Sequence, residues 1–129
     1  MTSCMAQTLA PILLVEDDPS VRRSLVAFLE DHGYQTRSAA TLRDARLALR
    51  DGYPRLCLLD LNLPDGNGLD LLRDLIRLRA PSRVAVMTAF PLHHLLPPDA
   101  RPTLVGWMTK PVAPGQLLEL VESSLKADS

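Results

Sequence analysis

Apolar residues fall along this chain in two alternating patterns. Four short runs, Pro11 to Val15, Arg55 to Asp60, Arg83 to Thr88 and Thr103 to Thr109, are apolar almost throughout and break off at polar residues. Short apolar runs without polar alternation fit strands buried on both faces, as in a parallel sheet. Gln35 to Ala39 is half-polar and fits a strand nearer the sheet edge. Between the runs, apolar residues recur at three- and four-residue spacing, the period of a helix with one buried face. Val21, Leu25, Phe28 and Leu29 mark the first such helix, with Pro19 in its opening turn and Gly33 after His32 as its stop. Thr41 caps a second that runs to about Asp51, with Leu42, Ala45 and Leu49 inward and Gly52 at its end. Gly68 to Arg79 forms a third, facing inward through Leu69, Leu72 and Ile76 and closed by Pro81. Pro114 to Lys126 forms the last, with Leu117, Leu118, Val121 and Leu125 as its stripe.

Alternation of strand and helix predicts an α/β domain, a doubly wound five-stranded parallel sheet with right-handed crossovers. The fourth crossover breaks the rhythm. Pro91, Pro97, Pro98 and Pro102 interrupt it, and a proline inside a helix costs about 3 kcal/mol or more. The fourth helix is therefore expected to be short or irregular, a turn or two around Leu92 to Leu96 at most. Residues 1–10 read as a flexible N-terminal extension, 11–126 as the domain and 127–129 as a tail.

Composition narrows the class without naming it. A chain of 129 residues fits one domain, and 47% hydrophobic residues is ordinary for a globular protein. Fifteen acidic against fourteen basic residues leave no basic footprint, so no direct nucleic-acid binding is expected. No apolar run approaches the roughly 18 residues of a membrane span, and residues 1–10 lack a signal sequence, which predicts a cytoplasmic protein without a membrane partner. Cys4 and Cys57 are expected to stay reduced in that compartment.

Ligands of open α/β sheets bind beyond the carboxyl ends of the strands. There the sequence places Glu16 and Asp17 after the first strand, Asp60 at the end of the third, Thr88 after the fourth and Lys110 after the fifth. Three carboxylates in one crevice repel unless a cation joins them, and hard divalent cations suit oxygen donors. Lys110 and Thr88 offer a positive charge and a hydroxyl suited to a phosphoryl group.

In order and spacing, Val15-Glu16-Asp17-Asp18-Pro19, Leu59-Asp60-Leu61-Asn62-Leu63-Pro64-Asp65-Gly66, Thr88-Ala89 and Lys110-Pro111 resemble the four motifs of the receiver domain of bacterial two-component response regulators. The resemblance implies the flavodoxin-like strand order 2-1-3-4-5. It implies that Asp60 accepts a phosphoryl group from phosphohistidine on a sensor histidine kinase or phosphotransfer protein. It further implies that Asp17, Asp60 and the backbone carbonyl of Asn62 hold Mg2+ or Mn2+ directly, and Glu16 through water. Lys110 would pair with the phosphoryl group, Thr88 would bond another oxygen once the following loop moves inward, and the N–H groups of Asn62 and Ala89 would complete the cradle. Pro111 matches the family's proline after a cis peptide, cheap for X-Pro at about 0.5–1 kcal/mol. Trp107 stands where the family has a switch aromatic, usually Tyr or Phe; the plainer reading is a half-buried strand aromatic. Asp65 reads as a turn residue, and His93 and His94 as surface polar residues, because adjacent side chains point in different directions.

The proline-rich segment departs from the family's pattern. The fourth helix, fifth strand and last helix normally form the surface read by partners, and its interruption argues against output through a standard homodimer there. Phe90, bulky and apolar two residues beyond Thr88, is expected to shield an acyl phosphate from water. The leading reading is thus a phosphoacceptor module, either free-standing or the N-terminal part of a transcriptional regulator. Its Leu-Pro-Asp-Gly-Asn-Gly-Leu stretch looks most like the receivers of enhancer-binding regulators. No enzyme activity is expected beyond self-phosphotransfer and autodephosphorylation. Two alternatives stay open: a receiver-like interaction module independent of phosphorylation, and an aspartate-nucleophile phosphatase. Such phosphatases usually place an acid two residues after the nucleophile, where this chain has Asn62.

Overall fold

In the computed structural model, which describes residues 11–89 and 103–126, the apolar runs pair into a single parallel sheet. β1 (Ile12–Val15), β3 (Leu56–Asp60) and β6 (Arg83–Thr88) lie inside it, with β2 (Thr36–Ala39) and β7 (Leu104–Thr109) at its edges, in the order β2-β1-β3-β6-β7. Apart from the hairpin of β4 (Asn62–Leu63) and β5 (Gly66–Asn67), this is the expected order 2-1-3-4-5. Registers align the strand ends: Val15 lies beside Ala39 and Leu59, Asp60 beside Met87, and Thr88 beside Thr109.

Side chains alternate across each strand, so the sheet offers a greasy surface on both sides. Leu13, Val15, Cys57, Leu59, Val84 and Val86 pack under α2 (Leu42–Arg50) and α3 (Gly68–Arg77). Ile12, Leu14, Leu56, Leu58, Ala85 and Met87 pack under α1 (Pro19–Asp31) and α4 (Pro114–Lys126). Each fully buried leucine contributes about 1.5–3 kcal/mol, so these two layers hold the strand ends in place. Burial pushes the Cys57 thiol up to about 12, which keeps it protonated as a small packing group. No helix of the described residues is long and apolar enough to cross a membrane.

Side-chain oxygens start three of the helices. The Asp18 carboxylate accepts the N–H groups of Ser20 and Val21 at 2.9 and 3.2 Å for α1. Thr41 Oγ1 accepts Asp44 N–H at 3.0 Å for α2, and Asn67 Oδ1 accepts Leu69 N–H at 2.9 Å for α3. The last turn of α4 is held from the sheet: Arg55 donates to the Leu125 carbonyl at 2.6 Å and Arg83 to the Ser124 carbonyl at 2.8 Å.

Several details differ from the sequence pattern. Val21 is 39% exposed rather than inward, because the buried stripe of α1 runs through Leu25 and Leu29. In α2, Ala48 is buried with Leu42 and Ala45, while Leu49 is only partly covered. The buried face of α3 is wider than its spacing implied, taking in Leu71 and Leu75. That helix also ends at Arg77, two residues early. The expected short fourth helix, the N-terminal extension and tail, Cys4, Phe90, His93 and His94 lie outside the described residues.

The early end of α3 repeats the stop of α1 with a different residue. After α1, Gly33 N–H donates to the Glu30 carbonyl and Tyr34 N–H to the Leu29 carbonyl, with Gly33 at φ +89°. After α3, Arg79 and Ala80 make the same pair of bonds to Ile76 and Leu75, with Arg79 at φ +54°. This closing motif needs a left-handed residue, which glycine accepts and a side chain resists. We expect Arg79→Gly to raise unfolding stability by about 0.5–1 kcal/mol in urea denaturation, the left-handed penalty less the extra chain entropy of glycine.

Asp65 does more than turn the chain. Its carboxylate accepts the N–H groups of Leu42 and Arg43 at 2.8 and 3.0 Å, tying the β4–β5 hairpin to the start of α2. Those two bonds hold its pKa below the usual carboxylate value. A depressed pKa contributes stability that is complete above the unfolded value, about 3.9, and is lost as pH falls through the folded one. Asp65→Asn should therefore melt below wild type at neutral pH, and the gap in Tm should close as both proteins are acidified below pH about 4.

Candidate functional site

Asp60 ends β3 at the carboxyl edge of the sheet and is 2% exposed, although the strand stops there. Two donors hold it. Asn62 N–H donates to Asp60 Oδ1 at 3.0 Å, and Lys110 Nζ donates to Asp60 Oδ2 at 3.0 Å. The first follows from the chain reversing straight after the strand into the β4–β5 hairpin, which lays the Asn62 amide back over the carboxylate.

Lys110 reaches in from the loop after β7 and also donates to Glu16 Oε1 at 2.8 Å. Its peptide bond to Pro111 is cis, as the sequence implied. Its own N–H donates to the Thr88 carbonyl at 2.8 Å, which ties the ends of β6 and β7 together. Glu16 follows β1 and is 1% exposed; its second oxygen accepts Asp18 N–H at 3.1 Å. Asp17 is exposed beside it. Carboxylate oxygens of Glu16, Asp17 and Asp60 all lie within 4.8 Å of one another.

The charges do not balance within this cluster. One ammonium faces two buried carboxylates, with a third at the rim. Burial pushes the Glu16 pKa up, and the Asp60 charge adds to that, against the opposing pull of Lys110 and Asp18 N–H. Burial alone would pull Lys110 down, but its bonds to Glu16 and Asp60 and their charges outweigh it, so Lys110 is held more firmly protonated than usual. The surplus of negative charge and the all-oxygen donor set suit a hard divalent cation.

A cleft of about 750 Å³ opens above these groups, lined also by Asn62, Thr88, Ala89 and Pro111. Thr88, at the end of β6, is 7% exposed. The edge thus brings Glu16, Asp17, Asp60, Asn62, Thr88, Ala89 and Lys110 to one opening. Trp107 lies apart from the cleft lining. It occupies β7 next to Met108 and points to the opposite face from that buried residue, 37% exposed beside Val86.

The sequence reading missed two supports of this site. Gly68 opens α3 directly against the Asp60 main chain: a methyl group there would run into the Asp60 carbonyl and meet Leu61 Cα at 3.0 Å. Its N–H donates to the Leu61 carbonyl at 2.9 Å, closing the hairpin. Arg22 Nη1 donates to the carbonyls of Glu16 and Asp17 at 3.0 and 3.3 Å. The sequence did not single it out, since Arg23 stands at the same helix start with the same charge.

The family model for the response regulator receiver domain matches residues 12–122. The response regulator protein PilR of Pseudomonas aeruginosa is 35% identical over 114 residues, 88% of this chain and 26% of that protein. The alginate biosynthesis transcriptional regulatory protein AlgB of the same organism is 36% identical over 107 residues, 82% of this chain and 24% of that protein. The chain therefore spans about a quarter of the length of these two relatives. Among solved structures, a CheY-like receiver domain from Methanospirillum hungatei superposes with a TM-score of 0.80 at 28% identity, covering 92% of this chain and 95% of that one. The receiver domain of a putative Luxo repressor protein from Vibrio parahaemolyticus gives 0.83 at 29% identity, covering 92% and 91%. The strand order and the acidic edge agree with these similarities, and the chain belongs to the receiver domain family of two-component response regulators.

Proposed function

We propose that Asp60 is the phosphoacceptor of this receiver and that its phosphorylation controls a partner. The observation that carries this reading is the Lys110 ammonium bridging Asp60 and Glu16 at 3.0 and 2.8 Å beneath an open cleft. A nucleophile must be desolvated yet reachable, and a phosphoryl group must find its counter-charges already in place. An Asp60 oxygen attacks the phosphorus of a phosphohistidine on a sensor histidine kinase or phosphotransfer protein. The O–P bond forms, the P–N bond breaks, and its electron pair returns to the imidazole nitrogen, which takes a proton from solvent. The acyl phosphate is later lost to water, which returns the carboxylate and inorganic phosphate. Lys110 and Asn62 N–H, now on Asp60, are placed to pass to phosphoryl oxygens, with Thr88 and Ala89 N–H completing the cradle.

The donor set fits Mg2+ or Mn2+, which Asp17, Asp60 and the Asn62 carbonyl would hold, with Glu16 acting through water. When bound, the cation neutralises charge on the transferring group. The chain's own residues supply the nucleophile, the orienting amide and the lysine. The proposed activity is self-phosphotransfer and autodephosphorylation within a signalling cycle, and a cytoplasmic location beside the kinase goes with that reading. Trp107, on the strand next to that of Thr88, is the proposed switch aromatic. The similarity to PilR and AlgB supports a place in a transcriptional regulator of that kind. Asn62 carries no acid to protonate a leaving group, which disfavours the phosphatase reading.

Incubation with acetyl phosphate and MgCl2 should add the mass of one phosphoryl group to wild type and none to Asp60→Asn, and chelating the metal should abolish the gain. No gain in wild type, where a control receiver is labelled, would sink the reading. Gly68→Ala should cost about 1–3 kcal/mol in urea unfolding by overpacking against the Asp60 main chain. Displacing the nucleophile by that route should also slow labelling about 10- to 100-fold.

A further inference from the structure

We propose that Arg22 is a positioning residue that sets the acidic loop for cation binding. The proposal rests on the reading of Glu16, Asp17 and Asp60 as a divalent-cation site.

The three acids are not held alike. Glu16 is fixed through its side chain by Lys110 and by Asp18 N–H, and Asp60 by Lys110 and Asn62 N–H. Asp17 is exposed, and none of the described side-chain hydrogen bonds holds its carboxylate. Where that carboxylate sits is decided by its main chain. The loop is anchored on one side by Glu16 N–H, which donates to the Ala39 carbonyl at 3.0 Å. On the other side Asp18 is locked as the cap of α1, accepting Ser20 and Val21 N–H, while its carbonyl accepts Arg22 N–H at 2.8 Å. Between those anchors the carbonyls of Glu16 and Asp17 both accept from one guanidinium nitrogen of Arg22, at 3.0 and 3.3 Å.

One nitrogen bridging two successive carbonyls turns both peptide groups toward the helix. The side chains of Glu16 and Asp17 leave the same stretch of main chain toward the cleft that they line. Arg22 is thereby the group in the second layer that fixes the acidic loop, and it acts without touching the cation. Losing a partner of this kind in a metal site typically weakens binding about 10- to 100-fold.

Electrostatics alone predicts the opposite sign. Arg22 is a cation beside an acidic site, so removing its charge should tighten the binding of another cation. The direction of the change therefore separates positioning from charge. Arg23, the next residue, is exposed and carries the same charge without bonding the loop, which makes it the control.

The test titrates Mn2+ into the whole chain, reading free ion by electron paramagnetic resonance, with Mg2+ measured by competition. Wild type, R22Q, R22M and R23Q are compared, with urea unfolding run on each to confirm folding at the assay condition. R22M keeps an unbranched apolar stem and loses both the donors and the charge, whereas R22Q loses the charge and keeps a shorter amide donor. The expected result is a Kd for Mn2+ about 10-fold higher in both R22Q and R22M, with R23Q equal to wild type or slightly tighter. A Kd unchanged or lowered in folded R22Q or R22M would overturn the proposal, as would a rise in R23Q matching theirs. Wild type that binds neither ion would overturn the underlying reading of the site, an outcome distinct from equal binding by all four proteins.

Discussion

A single ammonium group set between two buried carboxylates is the constraint on which this molecule turns. Two acids packed at the end of a sheet with almost no access to water would repel each other and resist ionisation. Lys110 reconciles them, and the geometry that lets it do so reaches far into the fold. Glu16 comes from the end of β1, Asp60 from the end of β3 and Lys110 from beyond β7, so the parallel register of the sheet must be right for the three to meet. The two leucine-rich layers that clamp the sheet are in this sense part of the site. The pairing leaves net negative charge, and that imbalance suits the edge to a hard divalent cation.

Around that pairing the loops are held with unusual economy. The segment after Asp60 reverses into a two-by-two hairpin, closes on Gly68 and is pulled against α2 by Asp65. The segment after Val15 is caught between the Ala39 carbonyl and the Asp18 cap, with Arg22 bridging its middle. The loop after Val15 brings two carboxylates to the cleft, Glu16 and Asp17, and the strand end before the hairpin brings one, Asp60. No buried side-chain nitrogen or oxygen among the described residues lacks a partner.

Much of this was legible in the sequence because the signals were dense. Unbroken apolar runs such as Leu56 to Leu59 mark interior parallel strands, and the polar residue that ends each run marks the edge where ligands bind. Thr41 and Gly33 mark helix limits by chemistry that does not depend on the rest of the fold. What escaped detection depended on tertiary distance. Asp65 looks like any turn aspartate until α2 is seen to start against it, 23 residues earlier in the chain. Gly68 looks like a helix-start glycine until the Asp60 main chain is seen to leave no room for a methyl group. Arg79 gave no warning at all: arginine favours helix, and the left-handed stop it adopts is fixed by Leu75 and Ile76 carbonyls rather than by its own preference.

The bonds that hold the end of α4 have a mechanical meaning. Arg55 precedes β3 and Arg83 begins β6, the two strands whose opposite ends carry Asp60 and Thr88. The last carbonyls of α4 are therefore fastened to the roots of the same two struts whose tips form the site. A strand of five or six residues is stiff along its length, about 3.3 Å per residue. The helix is consequently pinned at its far end to a frame that does not stretch. Fully buried Leu117 and Val121 seat the rest of α4 on the same sheet, so one rigid frame sets the placement of the helix and of the two strand tips at the cleft.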